Sequence, residues 1–321
     1  MIKRVSELTI VFLLLILSSC NLGVSGIPEG FALIYGVSIY DTNYPEGVGN
    51  NLTYPDDDAK AVAELFEKKG YEVMLRTDED ATKEQLLKDV YTLKTSMQMG
   101  ERFVFYFSGH GAQDSDIHNS NSTLTPTEPF WGDSDNEWIF LHGSLRVNGI
   151  ESLEKAIYDD ELAVIIADIP GYKKIILIDA CNSGGFIGST FNIDAVPHNF
   201  SEADLESQNT TFKKTLTLFL KLPDIEDSDV PSSQAAVMAA AGEREFSWEY
   251  GNIGHGVFTF YFLESGKYAD INGDEIITLN ESYHYVAESI EKKWNRLVGS
   301  DYRFCPHVSG GPVDFILFSA N

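Results

Sequence analysis

Two short segments of this chain carry the residue types of nucleophilic catalysis. Phe107-Ser108-Gly109-His110-Gly111 follows one apolar run, and Asp179-Ala180-Cys181-Asn182-Ser183-Gly184-Gly185 follows another. A thiolate attacks a carbonyl carbon, and an imidazole within hydrogen-bond reach takes and returns the protons. The oxyanion that forms needs fixed N–H donors, and the backbone amides of Gly111 and Cys181 are the candidates. The flanking glycines let backbone and substrate approach closely. His110 and Cys181 lie 71 positions apart, so only a fold can bring them together. A second histidine also sits between glycines, in Gly254-His255-Gly256. It precedes an apolar helical segment, its glycines suit the start of that helix, and it is assigned a structural role.

The elements that must position these residues alternate between strand and helix. Strands are expected over 31–40, 71–76, 102–107, 174–179, 235–241 and 313–318. Helices are expected over 56–69, 160–167, 255–264 and 279–297, with one more opened by Thr82 and Gln85 as a capping box and striped by Leu86, Val90, Leu93 and Met97. In the last helix Tyr283, Val286, Ile290, Trp294 and Leu297 fall on one face. Continuous apolar runs such as Ile175 to Ile178 belong in a parallel sheet covered on both faces. The pattern is α/β, with a mostly parallel central sheet and helices on both faces. Ligands of such sheets bind beyond the carboxyl ends of the strands, where both segments fall.

Composition narrows the function. Of 321 residues, 43% are apolar and 12% aromatic, enough for a sizeable core. The net charge is −26, which disfavours nucleic acid and suits cationic partners, either Ca²⁺ or substrates bearing Lys or Arg. Lys3 and Arg4 precede an apolar run over 9–17 that is too short to span a membrane and reads as a secretory signal over 1–19. The signal ends Leu17-Ser18-Ser19-Cys20, which resembles a bacterial lipobox. That resemblance implies lipid on Cys20, a tether over 20–30, and an exported, membrane-anchored lipoprotein on the periplasmic face or cell surface. Three cysteines are too few for a disulfide scaffold, and Cys305 has no assigned role. Two polar stretches interrupt the α/β pattern. The first, 112–137, is rich in Asp, Asn and Ser; the second, 191–232, is an acidic linker carrying Lys213, Lys214 and Lys221.

Ser-Gly-His-Gly after one strand and Asp-x-Cys-x-Ser-Gly after another resemble the caspase/metacaspase superfamily of cysteine peptidases. Asp57-Asp58-Ala59, Tyr158 to Leu162, Ala239 to Glu249 and Gly256 to Thr259 are similar to further segments of that family. The resemblance covers about residues 30 to 320. It implies a caspase–hemoglobinase fold, a single peptidase domain over 31–321 (31–190 large-subunit-like, 233–321 small-subunit-like), His110 as general base and acid, and Cys181 as nucleophile. Caspases that cleave after Asp carry Gln two residues before the nucleophile, where this chain has Asp179. The metacaspase pattern instead implies a pocket for a P1 Arg or Lys formed by Asp58, Ser108 and Asp179. Two buried carboxylates repel unless a cation arrives, so such a pocket selects guanidinium or ammonium. Cleavage of the linker at its own lysines is a further expectation.

No cofactor is needed for this chemistry. Calcium is the one candidate ligand, at two places. Asp159 and Asp160 match two positions of a metacaspase cluster, while Gly188 stands where that cluster has an Asp. Asp270, Asn272, Asp274 and Glu281 match an EF-hand loop at its oxygen-bearing positions, but Glu275 stands where the loop needs Gly. Two other functions compete: an inert caspase-like binding lipoprotein, and a legumain- or gingipain-type peptidase, whose usual Glu before the nucleophile is here Ala180.

Overall fold

Uninterrupted apolar sequence forms the middle of one large sheet. The computed structural model describes residues 29–98, 100–113, 137–146, 149–171, 173–182, 235–241, 245–310 and 315–319. The leader with Cys20, the segment 114–136, Gly188 and the whole acidic linker lie outside them. In chain order the first half comprises β1 (Phe31–Gly36), α1 (Pro55–Lys68), β2 (Glu72–Thr77), α2 (Lys83–Ser96), β3 (Arg102–Gln113) and β4 (Glu137–Phe140). A small ribbon, β5 (Leu145–Arg146) and β6 (Gly149–Ile150), leads to β7 (Ala156–Tyr158), α3 (Asp159–Ala167) and β8 (Lys173–Asn182). Then come β9 (Ala235–Ala239), the hairpin β10 (Glu249–Tyr250) and β11 (His255–Gly256), and α4 (Val257–Tyr268). The last elements are β12 (Ile276–Thr278), α5 (Leu279–Ser289), β13 (His307–Gly310) and β14 (Ile316–Ser319).

The main sheet runs β13-β9-β8-β3-β1-β2, with β4 on the tail of β3 and β7 on β4. Its centre, from β9 to β2, is parallel; β13, β4 and β7 add antiparallel edges. Strand periodicity splits the core in two. Leu33, Tyr35, Phe103, Phe105, Phe107, Ile176 and Val237 pack against Leu86, Val90 and Leu93 of α2 and Leu162 and Ile166 of α3. Ala32, Ile34, Val104, Tyr106, Ile175, Leu177, Ala236 and Met238 face α1, α4 and α5 through Val62, Phe66, Phe258, Phe262, Val286 and Ile290. The result is the expected α/β fold, with helices on both faces.

The differences from expectation have local causes. β3 and β8 run past 107 and 179 because their tails find partners: Gly111 to Gln113 pair with β4, and His110 and Gly111 pair with Cys181 and Asn182. Half of the capping box at Thr82 forms. Its side chain accepts the Gln85 amide at 3.1 Å, while Gln85 turns to Asp89 at 2.8 Å. Asp89 also takes Arg76 and the hydroxyl of Tyr35. After α5 the chain winds as a π-helix over Ile290–Asn295. The wider turn moves later residues out of the 3.6 period, so Val286 and Ile290 are buried but Leu297 is 83% exposed. The final strand does not join the main sheet; β14 pairs with β12 instead, and β13 takes the sheet edge.

Helix α1 matters most for the site. Pro55 suits its first turn, Asp56, Asp57 and Asp58 complement its positive end, and Gly70 follows it with φ +84°. The helix lies directly on β1: a Cβ at Gly36 would stand 2.2 Å from the Pro55 carbonyl oxygen and 2.6 Å from Ala59 Cβ. Gly36→Ala is therefore expected to destabilise the fold by about 1–3 kcal/mol or more. An unchanged urea midpoint would show that α1 can move off the sheet at little cost.

Candidate active site

The β3–β8 ladder sets the geometry. Ser108 stands opposite Asp179, and His110 stands opposite Cys181. Positions two apart on a strand share a side of the sheet, and adjacent strands lie about 4.8 Å apart. The backbones of the two dyad candidates are thus direct neighbours at the carboxyl end of the sheet. The side chain of Cys181 lies outside the described residues. Gly111, the other oxyanion candidate, is one step further out, opposite Asn182.

His110 is held on several sides and is 3% exposed. Its Nε2 lies 2.8 Å from the carbonyl oxygen of Asn50. A carbonyl only accepts, so Nε2 carries the proton and Nδ1 is the basic nitrogen. Burial pushes the imidazole down to about 3 against the smaller opposite pull of the Asn50 carbonyl, so at rest it is neutral. Its backbone N–H donates to the hydroxyl of Tyr40 at 2.8 Å, and that hydroxyl donates to the Phe140 carbonyl at 3.0 Å. The two rings pack with centroids 5.0 Å apart. A Cβ on Gly109 would stand 2.7 Å from the same hydroxyl. The Asn50 carbonyl is steadied by Asn51, whose Oδ1 accepts the amides of Tyr40 and Asp41 and whose Nδ2 donates to the carbonyls of Asp41 and Tyr44. Tyr40 lies beyond β1, which ends at Gly36 rather than at residue 40, and no sequence pattern marks Asn51.

Next to His110 lies a cavity of about 320 Å³ whose walls include Asp58, Ser108, Asp179, Trp248 and Glu249. The three residues expected to form a P1 pocket are therefore gathered here. Asp58, 1% exposed, accepts His255 Nδ1–H at 2.7 Å on Oδ1, and the Gly256 amide at 3.0 Å and Ser108 Oγ at 3.5 Å on Oδ2. Asp179 accepts the Thr259 hydroxyl at 2.6 Å and amide at 3.2 Å on Oδ2, and the Ser247 hydroxyl on Oδ1. A Cβ on Gly256 would fall 2.7 Å from Asp179 Oδ2 and 2.9 Å from Asp58 Oδ2, so only glycine lets the two carboxylates converge.

Glu249 of the cavity wall carries no local signal in the sequence, and His255, behind that wall, has a second role beside the structural one expected of it. Glu249 accepts the amides of Thr53 and Tyr54, at 3.2 and 2.8 Å, ahead of α1. His255 does precede α4 as expected, but it also reaches Asp58. Burial raises all three carboxyls: Asp58 to about 7, with Asp179 adding repulsion; Glu249 to about 7; and Asp179 in the same direction. The cavity stores proton-holding acid groups that a cation would discharge.

The calcium candidates are not gathered in this way. Asp270 accepts the amides of Gly273 and Glu275, Asn272 that of Asp274, and Asp274 that of Ile276. Glu281 completes a capping box with Thr278, and Glu275 itself takes the left-handed turn, at φ +66°. Asp159 is buried at the start of α3, and the side chain of Asp160 lies outside the described residues. Among the described residues no group of three or more His, Cys, Asp or Glu could hold a metal ion.

A family model described as "Caspase domain" matches residues 29–303. A crystal structure of a protein from Geobacter sulfurreducens superposes with TM-score 0.52 at 17% identity, covering 89% of this chain and 95% of that one. Caspase-1 from Spodoptera frugiperda gives TM-score 0.49 at 11% identity, covering 88% of each chain. Among curated proteins there is no significant match.

The bracing of His110 by Tyr40 is open to a direct check. Tyr40→Phe keeps the ring and removes the hydroxyl between the His110 amide and the Phe140 carbonyl. Turnover of a peptide reporter is expected to fall about tenfold with KM little changed, the size of one lost buried hydrogen bond. An unaltered kcat would remove Tyr40 from the machinery.

Proposed function

The chain belongs to the caspase-domain family of cysteine peptidases, and from that premise we propose that it is an endopeptidase that cleaves after arginine or lysine through a Cys181–His110 dyad. The observation that carries this reading is the convergence of Asp58 and Asp179 on one point beside the His110 position. A P1 guanidinium or ammonium seated there neutralises buried negative charge, whereas a P1 aspartate would add to it.

The chemistry then follows from residue positions. His110 Nδ1 takes the thiol proton of Cys181, and the thiolate adds to the scissile carbonyl carbon. The amides of Gly111 and Cys181 stabilise the oxyanion. The carbon–nitrogen bond breaks as His110 returns the proton to the leaving amine, leaving a thioester. Water, deprotonated by His110, adds to that thioester, and the thiol departs with the proton. A neutral imidazole at rest is the form this sequence requires. The chemistry needs no cofactor, and no step passes through calcium.

The remaining features belong to the same proposal. Cys20 carries lipid and anchors the exported enzyme to a membrane; mass spectrometry of the mature N-terminus would show the acyl chains. Lys213, Lys214 and Lys221 offer the enzyme basic residues of its own, and a Cys181→Ala protein should stay uncut where wild type is nicked.

Fluorogenic peptides differing only at P1 test the specificity. Arg and Lys reporters should be cleaved and the Asp reporter should not; faster cleavage after Asp would overturn the reading. Cys181→Ala and His110→Ala should each lower kcat/KM by about a thousandfold or more. The pH dependence has a definite sign. Below about 7 the raised carboxyls of Asp58 and Glu249 hold protons and the pocket loses charge; above it they ionise. For the Arg reporter, KM should fall by about tenfold from pH 6 to pH 8, while a neutral-P1 reporter shows no such trend.

A further inference from the structure

Among the described residues, His255 is the group hydrogen-bonded to the carboxylate cluster that can bear positive charge. Its Nδ1 lies 2.7 Å from Asp58 Oδ1, and its side chain is 24% exposed while that of Asp58 is 1% exposed. The ring is placed by the two-rung hairpin that pairs His255 with Tyr250 and Gly256 with Glu249, and it packs beside Phe260 of α4. The carboxylate it touches presents its other oxygen, Oδ2, to the Gly256 amide, beside Asp179 Oδ2. Asp58 is thus gripped on the side away from Asp179 and free to rotate only by breaking that grip.

We propose that His255 is a positioning residue for P1 selection: its Nδ1–H fixes the Asp58 carboxylate with Oδ2 beside Asp179 Oδ2 and favours its charged form, so that the pair of carboxylates is set for a basic side chain. The proposal rests on the reading of the cavity as the P1 pocket and adds the residue that sets its charge. Two effects of the imidazole compete. A protonated ring stabilises ionised Asp58 but also repels an arriving guanidinium. The first acts at hydrogen-bond distance and the second only through the carboxylate between them, so the first dominates. The hydrogen bond from His255 is the strongest influence opposing the burial of Asp58, and Asp58 in turn raises the imidazole. The other titratable groups near the pair among the described residues are Asp57 on α1, Tyr106 on β3, Asp179 on β8, and Glu249 and Tyr250 on β10, none of which can bear positive charge. Remove His255, and Asp58 faces Asp179 with only the Gly256 amide and Ser108 to offset it. The carboxyl then keeps its proton to higher pH.

The test compares wild type, His255→Ala and His255→Asn across pH 6 to 9, on Arg, Lys and neutral-P1 reporters. The Asn amide can stand in for Nδ1–H but cannot be protonated. His255→Ala should raise KM for the Arg reporter about tenfold at pH 7, leave kcat within about twofold, and move the fall in KM up by about one pH unit. His255→Asn should recover most of the loss. Binding of benzamidine, measured by calorimetry at pH 7 on the same proteins, should weaken in parallel, which gives a reading independent of turnover. An Ala variant with wild-type KM and pH profile overturns the proposal. So does a loss confined to kcat, or a loss in Ala that Asn does not restore while both variants melt like wild type. If His255→Ala does not fold, His255→Asn decides alone: it must keep benzamidine affinity within about threefold of wild type at pH 8. A wild-type enzyme with no preference for basic P1 would instead sink the pocket reading itself.

Discussion

The pairing register of β3 against β8 is the constraint on which the rest depends. One ladder carries both halves of the site: the Ser108–Asp179 rung for substrate charge and the His110–Cys181 rung for chemistry. A slip of one residue would send each position to the opposite face of the sheet. The register is secured below the site by large buried residues, Phe103, Phe105 and Phe107 toward one core and Val104 and Tyr106 toward the other. A shift would move Phe103, Phe105 and Phe107 into the core that Val104 and Tyr106 fill, and the reverse, on both faces at once. The precision of the chemical end is therefore set by packing at the unreactive end.

The ends of these strands also concentrate what folding normally avoids. Three acid side chains, two of them with almost no exposure, share a small cavity with a neutral imidazole. Desolvation works against each of their charged forms. Backbone and side-chain donors from Thr53, Tyr54, Ser247, Gly256 and Thr259 meet part of that cost. What remains uncompensated is negative, which gives the cavity its polarity.

The sequence made much of this legible, and the gaps have physical reasons. His110, Cys181, Asp58, Ser108 and Asp179 stood out because each lies in a short local pattern at a strand or helix end. Tyr40, Asn51 and Glu249 did not. Each acts through a contact with a distant or looping segment, which no periodicity announces: Glu249 reaches amides almost two hundred positions earlier. His255 was visible as a residue flanked by glycines, but Gly254-His255-Gly256 is equally what a helix start requires, and both uses turned out to coexist. The fold class followed from alternating apolar runs, whereas the antiparallel edges were hidden because their strands are short. Leu297 was misplaced because a change in helical winding leaves no mark on the apolar pattern that precedes it.

The bond network of Glu249 has one more consequence. A residue from the C-terminal third closes the amides in front of a helix near the N-terminus, and β9 pairs along β8 although the two lie more than fifty positions apart in sequence. The two portions are stitched by backbone pairing and shared burial. Severing that link would yield two polypeptides that still behave as one particle, with neither able to shield its own apolar faces alone.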